Sequence, residues 1–149
     1  MTARAYDPVT EARKYLFVRE AGQNRGQRVE AIQKWSGGSA GDSWCCEFAT
    51  MVYDICYQGK SEIPRTGSCD VVLALAKDRG WTVADPRPGD LVLSVRSPDD
   101  AHHIGIVTQA NPLTAIAGNT SADGASSNGD RVAEHAISRD NKVFVRVPA

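Results

Sequence analysis

The hexapeptide Ser43-Trp44-Cys45-Cys46-Glu47-Phe48 places two adjacent thiols at the head of a stretch in which Cys45, Phe48, Ala49, Val52 and Cys56 recur at helical steps. The spacing predicts a helix that starts at Ser43, whose hydroxyl can cap it. A cysteine in the first turn lies beside unpaired backbone N–H groups and the positive end of the helix dipole, which favour thiolate over thiol. The same N–H groups can hold the oxyanion that forms when a thiolate attacks a carbonyl. Cys45 is one candidate for this nucleophilic chemistry and Cys46 the other. One residue step turns a helix by about 100°, so only one of the two can face a given cleft. The plainer alternative is that either cysteine is a small buried residue of the helix stripe.

A nucleophilic thiol needs a base. His102 and His103 begin the segment His-Ile-Gly-Ile-Val, and His103 lies 58 residues after Cys45. Successive strand residues point to opposite faces, so one imidazole at most faces the helix that carries the thiol. That imidazole could take the thiol proton and return it to a leaving amine. Asn119, 16 residues after His103 and directly after Gly118, could accept the other ring N–H and hold the tautomer. It reads equally well as a turn-forming asparagine.

The elements that must position these groups divide the chain in two. In the first part, Ala12, Tyr15 and Leu16, and then Val29, Ile32 and Trp35, predict two short amphipathic helices separated by a break at Gly26. The cysteine-bearing helix follows, and a fourth begins near Ser68, turns Val72, Leu75 and Ala76 inward and ends at Gly80. From Pro86 the texture changes. After the turn Pro88-Gly89-Asp90, short branched segments at 91–95, 104–108, 114–117 and 143–147 predict an antiparallel sheet. Helices followed by strands predict an α+β fold with the N-terminal helices packed on one side of the sheet. The run from Asn119 to Asp130 reads as a polar loop that could shape a cleft.

Composition sets the outer bounds. The 149 residues suit a single domain, 42% hydrophobic and 23% charged. With 17 basic and 18 acidic residues the formal charge is −1, which disfavours a nucleic-acid partner. The beginning lacks the apolar core of a secretory signal and no run is long enough to span a bilayer, so cytoplasmic synthesis without membrane insertion is expected. The four cysteines read as free thiols, with Cys56–Cys69 as the one pairing kept open. No C-x-x-C pair or D-x-[DN]-x-[DN]-G loop is present, and neither a metal nor a cofactor is expected.

In order along the chain, Trp44-Cys45-Cys46-Glu47-Phe48, Pro88-Gly89-Asp90-Leu91-Val92, His103-Ile104-Gly105-Ile106-Val107 and Gly118-Asn119-Thr120-Ser121 resemble the motifs of CHAP domains, the cysteine- and histidine-dependent amidohydrolases/peptidases. Glu20-Ala21-Gly22-Gln23-Asn24-Arg25-Gly26 is similar to a segment upstream of the cysteine in phage-type members, while Cys46 departs from the alanine common in the family. The resemblance runs from about Glu20 nearly to the C-terminus and selects Cys45, His103 and Asn119 as the catalytic set. It implies a papain-like cysteine hydrolase, one catalytic domain over residues 1–149, that cleaves an amide of bacterial peptidoglycan through an acyl-enzyme, as an N-acetylmuramoyl-L-alanine amidase or an endopeptidase. Without a leader, the wall would be reached by holin-dependent phage lysis, on a virion, or by injection as an effector, whose partner would be an immunity protein. Two rivals stand beside this reading: a same-fold amidase or peptidase with a non-wall substrate, and an inactive wall-binding or assembly module.

Overall fold

A computed structural model describes residues 3–121 and 129–148. Four helices come first: α1 (Pro8–Arg13), α2 (Gln27–Trp35), α3 (Cys45–Cys56) and α4 (Cys69–Arg79). Six strands follow: β1 (Thr82–Val83), β2 (Leu91–Ser97), β3 (Asp100–Gln109), β4 (Thr114–Thr120), β5 (Arg131–Ala136) and β6 (Lys142–Val145). They form one sheet in the order β1-β6-β2-β3-β4-β5, with every neighbouring pair antiparallel. The architecture is the α+β arrangement expected.

Local chemistry explains the helix ends. Asp7 caps α1 by accepting from Thr10 N at 3.0 Å, with Pro8 in the first turn, where its missing N–H costs nothing. Ser68 accepts from Val71 N at 3.2 Å to start α4, and Gly80, at φ 69°, closes it in the left-handed conformation. The expected cap of α3 is not formed. Trp44 occupies the cap position with no side-chain bond to the helix, and the Ser43 hydroxyl accepts from Asn119 Nδ2 instead.

The register sorts the sheet into two faces. Leu91 pairs with Ile106 and Leu93 with Ile104, and all four join the core beneath the helices together with Trp44, Phe48 and Val52. The alternating residues Val92, Val107, Ala115 and Phe144 make a smaller cluster on the other face. α3 lies against β3 and β4 and is flanked by α1 and α2. Its far half is tied down where the buried Tyr53 hydroxyl donates to the Gly89 carbonyl in the turn before β2. That turn is held in its own right: Asp90 accepts from Arg87 N at 2.7 Å and from the Arg146 guanidinium at 3.0 and 2.9 Å.

Two strands depart from the sequence expectation. β1, Thr82-Val83, is branched but only two residues long, and β5 carries Arg131, Glu134 and His135, so neither stands out as a branched run. In α4, Leu73 and not Leu75 is fully buried. Most of the expected loop between Asn119 and Asp130, residues 122–128, lies outside the described residues.

Candidate active site

Cys45 is the first residue of α3, so the predicted placement of a thiol at a helix N-terminus holds. Its side chain is nearly closed off, at 3% exposure, and its sulfur lies 4.0 Å from that of Cys69, the first residue of α4. The expected bias toward thiolate is overturned. The Cys69 contact and then burial raise the Cys45 thiol well above its ordinary value, and the opposing pull of His103 does not cancel them. Cys69 is also raised: the contact with Cys45 pulls it down, but the contact with Cys46 and burial outweigh that pull.

His103 opposes the rise of the Cys45 thiol, which marks its side chain as a neighbour of the sulfur. His102 stands instead among Arg96, Asp100 and Lys142, where burial first and Arg96 next push its pKa down. Cys46 is fully buried, 0% exposed.

Asn119 is fully buried at a positive φ of 53°, inside β4 and not beyond its end. On the β5 side the pairing shifts register between Ala117 and Thr120, a bulge that accommodates this residue. On the β3 side Ile106 faces Ile116 and Val107 faces Ala115, so His103 and Asn119 lie on adjacent strands of the sheet. No hydrogen bond joins the two, yet His103 Nδ1 and Asn119 Oδ1 are both buried and both without a partner among the described residues. The asparagine amide is fixed from its other end, where Nδ2 donates to Ser43 Oγ at 3.0 Å.

Three supporting residues take roles here that sequence reasoning did not give them. Glu20 Oε2 accepts from the indole Nε1 of the buried Trp44 at 2.7 Å, while Glu20 Oε1 accepts from Asn24 N at 2.9 Å. The carboxylate is presented there because Glu20 N bonds Asp130 O and the adjacent Arg19 bridges Arg131, which stitches this segment to β5. Ser43 bonds Asn119, and Cys69 touches Cys45. Only Cys69 had a local signal, a helix start after Ser68 like the one after Trp44. The pairing kept open between Cys56 and Cys69 is not available: all four cysteines are free, and Cys56 closes the end of α3 opposite to Cys45, about 16 Å away at 1.5 Å per residue. Burial first, and then the charge of Glu11, push its thiol up to about 12.

Comparison with solved structures places this arrangement. The crystal structure of the NlpC/p60 domain of peptidoglycan hydrolase SagA superposes with a TM-score of 0.54 over 95% of this chain and 97% of that one, at 19% sequence identity. The fold is that of an NlpC/p60 domain, a papain-like α+β architecture. No family model matches the chain, and no curated protein matches it in sequence. Among the described residues no group of three or more histidine, cysteine or acidic side chains is placed to hold a metal ion, and no helix is long and apolar enough to cross a membrane.

Proposed function

We propose that the chain is a CHAP-type peptidoglycan hydrolase that cleaves an amide bond, as an N-acetylmuramoyl-L-alanine amidase or an endopeptidase. The observation that carries the reading is Cys45 at the N-terminus of α3 with His103 as its neighbour, on a fold shared with the NlpC/p60 domain of a peptidoglycan hydrolase. In this mechanism His103 takes the Cys45 proton as the sulfur attacks the amide carbonyl. The backbone N–H groups opening α3 stabilise the oxyanion, His103 protonates the departing amine, and water releases the acyl group. Asn119 Oδ1 accepts a hydrogen bond from Nδ1–H of His103 and so sets its tautomer. The two unpartnered atoms support this role, since each is the complement of the other.

The same reading makes peptidoglycan the partner and the wall the place of action. Phage lysis through a holin is the delivery route we favour, ahead of carriage on a virion or injection as an effector held in check by an immunity protein. One observation favours a second reading, an inactive wall-binding module: the thiol is 3% exposed and in contact with Cys69. Purified sacculi decide between them. Release of soluble muropeptides, with mass spectrometry of the new ends, establishes hydrolysis and names the bond. Binding to sacculi without release supports the module, and turnover confined to non-wall amides moves the substrate elsewhere.

A further inference from the structure

We propose that Cys69 is a resolving thiol for Cys45, so that a hydroperoxide converts the pair into a Cys45–Cys69 disulfide that a dithiol reductant reopens. The chemistry of the pair is geometric. That its closure switches off hydrolysis rests on the function proposed above.

The two sulfurs are 4.0 Å apart, and a disulfide needs about 2.05 Å. Both residues stand at the first position of a helix, and α3 and α4 bring those two ends together. Closing the bond requires the two sulfurs to approach by about 2 Å. Cys69, at 8% exposure, is the more open of the two, and Cys45 is the sulfur that His103 adjoins. Cys56 is excluded by its place at the far end of α3. Cys46 is the one competitor, since it also neighbours Cys69, but it is wholly buried.

The steps balance with hydrogen peroxide as the oxidant. The Cys45 sulfur attacks one peroxide oxygen, the O–O bond breaks, and a sulfenic acid and one water result. The Cys69 sulfur then attacks the sulfenic sulfur, the S–O bond breaks, the S–S bond forms, and a second water leaves. Two thiols have lost one electron each, and one peroxide has become two waters. Without Cys69 the sulfenic acid would stand open to further oxidation to the sulfinic acid, which a dithiol does not reverse. Cys69 would thus protect the nucleophile as well as silence it.

The test treats the whole folded protein with hydrogen peroxide and maps its peptides under non-reducing conditions. Trypsin leaves Cys45, Cys46 and Cys56 together in peptide 35–60 and Cys69 in peptide 66–77. A cross-link between these peptides, two hydrogens lighter than their sum, is expected in the wild type and in Cys46→Ala and is lost in Cys45→Ala. Sacculus-degrading activity is expected to fall on oxidation and return with dithiothreitol in the wild type, but not to return in Cys69→Ala. Absence of the cross-link, its persistence in Cys45→Ala, or recovery of Cys69→Ala equal to that of the wild type would overturn the proposal. The peptide map needs neither turnover nor a folded Cys69 variant, so a failure of the functional reading leaves the disulfide still tested.

Discussion

The indole N–H of Trp44 donates to the Glu20 carboxylate at 2.7 Å, joining the residue that opens α3 to a segment 24 positions earlier in the chain. Trp44 is fully buried, so the bond both satisfies the indole and fixes the height at which Cys45 enters the site.

Glu20→Ala leaves that N–H buried without an acceptor and should destabilise the fold by about 1–3 kcal/mol. Glu20→Gln, which keeps an acceptor oxygen, should recover most of the loss. Urea unfolding followed by tryptophan fluorescence measures both. Equal stability of wild type and Glu20→Ala would show that the bond contributes nothing.

Gly118 is where β4 meets the head of α3. A Cβ there would lie 2.8 Å from a ring carbon of Trp44 and 2.9 Å from Phe48 Cβ. Gly118→Ala must push α3 away from the strand, and a cost of about 1–3 kcal/mol is expected for such overpacking. Because the displaced end of α3 carries Cys45, hydrolysis should fall even where the variant remains folded. Thermal unfolding and sacculus turnover, measured on one preparation, separate the two effects.

Glu47 gives a pH signature. Burial first, eased by the Ser36 hydroxyl at 2.6 Å and worsened by Asp42, raises its carboxyl from the ordinary 4.5 to about 7. The folded protein therefore holds this proton more tightly than the unfolded chain does. Ionisation costs no stability below about pH 4.5; the cost grows to about pH 7 and is constant above it. Glu47→Gln removes the titration, so its stability relative to wild type should climb across that window by about 2–3 kcal/mol. Chemical denaturation at pH 4 to 8 reads the difference, and parallel curves for the two proteins would refute the assignment.

The two histidines should separate cleanly. His103→Ala removes the base beside Cys45 and should lower sacculus turnover by about 10²–10⁴-fold. His102→Ala, which changes a side chain among Arg96, Asp100 and Lys142, should retain activity. The reverse ranking would mean that the proton-transfer role belongs to the other face of β3.

Much of this arrangement was legible in the sequence because it is local. Ser68 and Gly80 mark the two ends of α4 by cap chemistry that needs no tertiary contact, and the apolar period of α3 places Cys45 in its first turn. The α+β order follows from where the helical period gives way to branched strands. What escaped was whatever depends on distant residues meeting. Strand β5 alternates around Glu134 and His135, whose charge hides its pairing with β4. Ser43 looked like a cap and instead bonds Asn119, 76 residues away. The thiol of Cys45 reads as activated from its helix position alone, and the packing of Cys69 against it together with its burial reverses that reading.

The central claim is that Cys45 performs amide hydrolysis on the wall. Muropeptide release from purified sacculi by the wild type, Cys45→Ala and Cys46→Ala, each first reduced with dithiothreitol, tests it most directly. Release by the wild type and Cys46→Ala with none from Cys45→Ala is the predicted result. Release undiminished in Cys45→Ala would contradict the account.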